Sequence, residues 1–236
     1  MANHVHPTAV IGAGVELGDG ITIGPHAVLT GPLTIADDCW VGAGTVIGSP
    51  PEIRGADHLD SREARSPYVG ITIGLGTVIR ELTTVHQGSE RVTTIGAACY
   101  VMNKCHVAHD VEVGDNVTLS AGMTMGGHVS IAAGANIGLG AILHQRRVIG
   151  AGAMVGMGSV VTKDIPPFAL VHGAPCTLRQ VNMVGMQRQG LSNESAELLS
   201  GYYSAATVPT DDQLPTETRE EFAWWRERAT RPLGTR

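Results

Sequence analysis

Ile95-Gly-Ala-Ala-Cys-Tyr-Val101-Met-Asn-Lys-Cys-His-Val107-Ala-His-Asp-Val-Glu-Val113 places an aliphatic residue at every sixth position. The register continues without a gap through Leu119, Met125, Ile131, Ile137, Leu143, Ile149, Val155 and Val161. Upstream the same period runs through Val5, Ile11, Leu17, Ile23, Leu29, Ile35, Val41 and Ile47, and again through Ile73, Ile79 and Val85. A small residue often follows the aliphatic one, as at Gly12, Gly24, Gly96, Gly114 and Gly138. Neither the alternation of an isolated strand nor the turn of a helix has this period. A solenoid does: a short strand turned by a small residue makes one wall, and three walls close a triangular coil of about 18 residues. Coils then stack at the ~4.8 Å strand spacing with the aliphatics inside. The expected fold is an all-β solenoid, a parallel β-helix of roughly seven to eight coils over residues 1–170.

Two stretches leave the period. Residues 48–70 are polar and open with Pro50 and Pro51, and residues 86–94 read His-Gln-Gly-Ser-Glu-Arg-Val-Thr-Thr. Both are expected as loops ejected from the wall, where rigid scaffolds commonly carry function. The repeat stops at Asp164-Ile-Pro-Pro. Residues 171–236 read as a small C-terminal α-helical region, with helices over 177–205 and 215–229 split by Val208-Pro-Thr-Asp-Asp-Gln-Leu-Pro. Trp224 and Trp225 are expected to pack this region on the prism.

Composition agrees with a thin aliphatic core, since only 4% of the 236 residues are aromatic while 31 are glycine. A net charge of −6 argues against a nucleic-acid partner. No apolar run reaches the ~18 residues of a membrane span. Met1-Ala-Asn-His-Val-His-Pro has neither a basic nor an apolar leader region, which predicts a cytoplasmic protein without a signal peptide. Cys39, Cys99, Cys105 and Cys176 form no C-x-x-C pair and are expected as reduced thiols.

The coil period sorts the polar residues. His109, Gly127 and Gln145 fall in one column, and Asp110, His128 and Arg146 in the next. With His106 and His144, four of the ten histidines and an aspartate converge on one wall over three coils. A neutral imidazole takes a proton from a hydroxyl or amine near pH 7, and an adjacent carboxylate such as Asp110 orients it. The Gly126-Gly127 pair lets backbone N–H groups approach a developing oxyanion. No Ser or Cys stands out beside the histidines as a nucleophile, which favours direct attack by the acceptor and needs no cofactor. A histidine metal site is the rival reading. The γ-class carbonic anhydrases use the same scaffold with two ligands spaced H-x-x-x-x-H, whereas His106-x-x-His109 is shorter, so no metal ligand set is assigned.

Several stretches together resemble the acyl-ACP:UDP-N-acetylglucosamine O-acyltransferases of lipid A biosynthesis, from residue 6 to about 205: His6-Pro-Thr-Ala, His106-Val-Ala-His-Asp110, Gly127-His-Val-Ser, His144-Gln145, Asp164-Ile-Pro-Pro and Val181-Asn-Met-Val-Gly-Met-Gln-Arg-Gln-Gly-Leu-Ser192. The resemblance implies a left-handed coil, a homotrimer with a cleft between neighbouring prisms, acyl carrier protein as donor partner and a nucleotide-sugar acceptor. It implies His109 as general base, Asp110 as its support and the Gly127 N–H as oxyanion hole. His106, His128, His144 and Gln145 would line the cleft, Asn182 and Arg188 would contact substrate from the tail, and Met157 would end the acyl groove and favour shorter chains. Three departures bear on the acceptor. The family's first-loop Asp-Leu-Lys reads Ile53-Arg54-Gly55 here, an acidic tail position is Val184, and the second tail arginine is Gln189. These predict a weaker grip on a UDP-sugar and leave room for an alternative acceptor in a specialised pathway.

Overall fold

The computed structural model describes residues 2–56 and 67–234. Its strands stack into three walls. The first wall runs from His4–Val5 up to Met154–Val155, the second from Val10–Ile11 to Val160–Val161, and the third from Val15–Leu17 to Val148–Ile149. Every pairing within this solenoid is parallel and advances one coil, as in Val107↔Met125 and Met125↔Leu143. The six-residue period thus becomes one inward side chain per wall per coil. From Ile23 to Val161 each aliphatic of the series is buried. Burying a side chain of this size contributes about 1.5–3 kcal/mol, so the core is a long sum of similar terms. The first coil is the exception: Val5 and Ile11 remain 42% and 38% exposed because no strand lies below them among the described residues.

Coil number slightly exceeds the expectation. After Val160–Val161 the third side of an eighth coil is supplied by Ile165, which bridges to Ile149, and Ala169–Gly173 pairs with Met154–Val155 to start a ninth. The prolines between them hid these two steps from the periodic reading.

Both insertions emerge at the corner between the second and third walls, after Val46–Ser49 and after Thr84–His86. The strands persist further into them than the polar sequence implied, since Gly48, Ser49, His86, Thr93 and Thr94 are all in strand. Residues 57–66 of the first insertion lie outside the described residues.

The tail corrects one expectation. Residues 177–181 belong to a strand, Cys176–Val181, which pairs antiparallel with Ala169–Gly173 and closes the end of the first wall. Helices follow: α1 (Met183–Arg188), α2 (Asn193–Ser204) and α3 (Arg219–Arg228). The strand alternates buried and exposed positions too weakly for its period to show in a stretch containing Arg179 and Gln180. Trp225 and Phe222 of α3 are buried, while Trp224 stacks under Arg228. Asp164 ties this region down. Its buried carboxylate pairs with Arg147 at 2.9 Å and accepts hydrogen bonds from the N–H groups of Val148, Thr230 and Arg231. All four cysteines are free and buried. No helix among the described residues is long and apolar enough to cross a membrane.

Candidate active site

His106–Val107 lies on the second wall between Thr84–His86 and Thr124–Met125. Val107 fills the prism, which turns His106 outward and brings the chain to its corner at Ala108-His109-Asp110. Asp110, His128 and Arg146 repeat that corner with φ near +60°. Side chains other than glycine rarely adopt this left-handed region, and Asp is among the more tolerant. The corners are knitted vertically: His128 N–H donates to His109 C=O at 3.1 Å, and Arg146 N–H donates to Gly127 C=O at 2.9 Å. His109 therefore stacks directly against Gly127 of the next coil, and a Cβ on Gly127 would sit 2.6 Å from His109 Nε2. Only glycine fits against the ring.

The second insertion explains what Asp110 does. Its carboxylate is fully buried and accepts the N–H groups of Ser89, Glu90 and Arg91 on Oδ1, at 2.9, 2.8 and 2.8 Å. Ser89 Oγ donates to Oδ2 at 2.6 Å, and His109 Nδ1 stands 2.6 Å from the same oxygen. Burial by itself would raise this carboxyl. The hydrogen bonds from Ser89, Arg91, His109 and Glu90 outweigh it and hold the group well below the usual carboxylate range. An ionised carboxylate only accepts, so His109 Nδ1 carries the proton and Nε2 is left as the basic nitrogen. Thr93 Oγ1 and the Arg91 guanidinium secure the Asp110 backbone on either side.

His128 packs edge-on against His109, with ring centroids 5.2 Å apart, and its Nε2 is 3.6 Å from Asp110 Oδ2. Burial lowers its pKa, Asp110 opposes that, and Arg146 and His109 reinforce it, so His128 is neutral at pH 7. His144 and Gln145 are exposed on the same corner, one coil above Gly126 and Gly127.

The first insertion brings a residue that the sequence reading missed. Glu52 Oε2 lies 2.8 Å from His106 Nε2, and Glu52 Oε1 lies 3.7 Å from His86 Nε2. The expectation that the first loop offers no acidic contact does not hold. The acid–aliphatic–base pattern is present one residue earlier, as Glu52-Ile53-Arg54, and its longer acid concealed it. His86, Ser89 and Arg91 were also missed. They sit in an insertion, where no coil period assigns a column.

Within one chain the tail residues do not reach this corner. Asn182 caps α1, accepting Gly185 N–H at 3.1 Å and donating to Gly152 C=O at 2.9 Å. Arg188 lines a groove of about 720 Å³ with Asn136, Met154, Val184 and Gln189, and none of the histidines borders it. Met157 is at the corner between the first and second walls, 74% exposed, one coil above the exposed Leu139.

Among the described residues, neither Ser89 nor Cys105 is set up to compete with the acceptor as nucleophile. The Ser89 proton is committed to Asp110, and burial pushes the Cys105 thiol up to about 11. Among the described residues no acceptor pairs with the Gly127 N–H. A base with one oriented nitrogen packed beside a glycine whose backbone amide is uncommitted, on a stack of hexapeptides, is the working part of a β-helical acyltransferase.

The comparisons narrow that class. A family model described as bacterial transferase hexapeptide matches residues 93–127, and one described as UDP-N-acetylglucosamine O-acyltransferase, domain 2, matches residues 164–218. Proteins named acyl-[acyl-carrier-protein]–UDP-N-acetylglucosamine O-acyltransferase from Brucella ovis and Bartonella henselae are 38% and 33% identical to it. The alignments cover 80% and 83% of this chain, and 73% and 76% of theirs. The fold is shared with the UDP-N-acetylglucosamine acyltransferase of Campylobacter jejuni, at a TM-score of 0.78 and 23% identity over 98% of this chain and 96% of that one. The Arabidopsis enzyme of the same name gives 0.69 and 25% identity over 95% and 90%. The chain belongs to the acyl-ACP–UDP-N-acetylglucosamine O-acyltransferase family, and an acceptor of another chemistry is not favoured by these relatives.

Proposed function

We propose that the chain transfers an acyl group, in particular a 3-hydroxyacyl group, from acyl carrier protein to the 3-hydroxyl of UDP-N-acetylglucosamine in the cytoplasm, as a step of lipid A biosynthesis. One observation carries the mechanism: His109, oriented by Asp110, packs against Gly127, whose N–H has no acceptor among the described residues. His109 Nε2 takes the proton as the sugar oxygen attacks the thioester carbonyl. The Gly127 N–H receives the negative charge of the tetrahedral intermediate. Collapse breaks the C–S bond, and the imidazolium returns the proton to the departing thiolate. Asp110 stays ionised throughout and stabilises the imidazolium, which is why three backbone N–H groups hold it in place.

Glu52, His106, His128, His144 and Gln145 surround the base and form the acceptor side of the cleft. Asn182 and Arg188 lie on another corner, so a homotrimer in which a neighbour's tail faces this corner supplies them, and Met157 marks the end of the acyl groove. The test is product formation by mass spectrometry with 3-hydroxyacyl-ACP and UDP-N-acetylglucosamine. General-base catalysis is worth ~10²–10⁴-fold, so His109→Ala should lose that much rate while keeping its hydrodynamic size. Near-normal turnover in this variant would remove His109 from the role.

A further inference from the structure

We propose that Ser89 is a positioning residue for the base: by sharing one oxygen of Asp110 with His109, it sets how tightly His109 holds the proton it abstracts. The inference rests on His109 acting as general base. The two oxygens of the carboxylate have different partners. Oδ1 accepts three backbone N–H groups, from Ser89, Glu90 and Arg91. Oδ2 receives the Ser89 hydroxyl and His109 Nδ1, both at 2.6 Å. One oxygen is therefore held by the backbone, and the other is divided between a hydroxyl and the base. The hydrogen bond from Ser89 draws charge away from Oδ2, so less is left to stabilise an imidazolium at His109. That keeps the ring neutral and ready to accept a proton, and lets it give the proton up again to the leaving thiolate.

The turn that carries Ser89 is built for this placement. Gly88 pairs with the end of the first insertion, its N–H donating to Gly70 C=O and its C=O accepting Val69 N–H. A side chain at Gly88 would collide with the Arg91 carbonyl, so the turn closes only on glycine. Arg91 staples the far side, its guanidinium reaching Asp110 C=O, Ser130 Oγ and Glu112. Taking the Ser89 hydroxyl away leaves all of these contacts, and the three bonds to Oδ1, in place. The other charged and titratable groups around the base come from three directions. They are His86 and His106 of the second wall with their partner Glu52, Glu90 and Arg91 of the turn, and His128 and Arg146 of the coils that follow. Among the described residues none of these donates a hydrogen bond to Oδ2, and His128 Nε2 stands off at 3.6 Å.

Ser89→Ala and Ser89→Gly each remove the hydroxyl, and Ser89→Thr keeps it; circular dichroism shows that each variant retains the β-helix. Protonation of His109 is read directly by nitrogen NMR of the histidine-labelled full chain, its signal assigned by its loss in His109→Ala. The acid limb of kcat/KM is measured in parallel. Without the hydroxyl more charge stays on Oδ2, so the imidazolium should persist to higher pH, by about half a pH unit or more, and the acid limb should move up with it. Ser89→Thr should keep both at their wild-type positions. A hydroxyl needed only for folding would lower the urea midpoint of Ser89→Ala and leave the NMR midpoint where it was. That result, or a shift that Ser89→Thr shares, overturns the proposal. A shift of the NMR midpoint with no movement of the rate profile would support the link from Ser89 to His109 and instead remove His109 as the base.

Discussion

Asp110 shows how one residue can be asked to do two opposed things. Its side chain is buried, which disfavours charge, yet the role proposed for it beside His109 requires charge. The insertion resolves this by wrapping three N–H groups and the Ser89 hydroxyl around it. The sign of the consequence follows from the depressed pKa. An unfolded aspartate titrates near ~3.9, so the native carboxylate contributes its full stability above that pH and loses it as pH falls towards the lower native value. Urea unfolding of wild type and Asp110→Asn should therefore differ most above about pH 5, and the difference should shrink on acidification below about pH 4. A gap that instead widened with acid would mean Asp110 is held neutral in the native state. The His109–Asp110 pairing was legible in the sequence because the two are adjacent and the coil period put Gly127 in the same column, one coil on. Glu52 was not, because an insertion breaks the count that gave every other position its wall.

At the scale of elements, strand periodicity was legible wherever the interior demanded an aliphatic residue at each sixth place. It failed at Ile165 and Ala169, where Pro166 and Pro167 interrupt the pattern, and in Cys176–Val181, whose one-sided burial leaves Thr177, Arg179 and Gln180 on the outer face. The helical tail was readable in outline, with Asn182 capping α1 and Ser192 capping α2. The corner bearing Met157 carries the specificity prediction. Together with Leu139 and Ile142 it makes a run of exposed apolar side chains next to the second wall. A methylene removed from water gains about 0.8 kcal/mol, and a thioether occupying its place denies that gain. Wild type should prefer donors of about ten carbons or fewer, and Met157→Gly should shift the preference to longer chains. Competition between donors of different length, read by mass spectrometry, decides it; an unchanged profile would mean Met157 merely packs between prisms.

For the whole molecule, the informative fact is separation. His109 lies where the second and third walls meet, while Arg188 borders the first wall beside Asn136 and Met154. If both act on one substrate, two chains must supply them. In a cyclic trimer assembled from equal amounts of His109→Ala and Arg188→Ala chains, about a quarter of the interfaces pair an intact base with an intact arginine. Each variant alone should be nearly inactive and the co-assembled mixture should recover about a quarter of wild-type turnover. Failure to recover any activity, with mixed trimers verified by mass, would place both residues in the service of separate events.

The stacked architecture also has an arithmetic consequence for selectivity. The proposed base, His109, belongs to one coil and Met157 to a later one, and the rise between coils is set by backbone pairing at ~4.8 Å rather than by side chains. Point substitutions at the groove end therefore tune chain length finely, whereas adding or deleting one complete coil between them changes it by a fixed quantum. Duplicating the 18 residues from Asn136 to Ala153 should leave the His109–Asp110–Gly127 corner intact and move the preferred donor by several carbons in a single step, with no intermediate setting available from whole-coil changes. A donor profile that moved gradually, or not at all, would show that the distance along the stack is not what the enzyme measures.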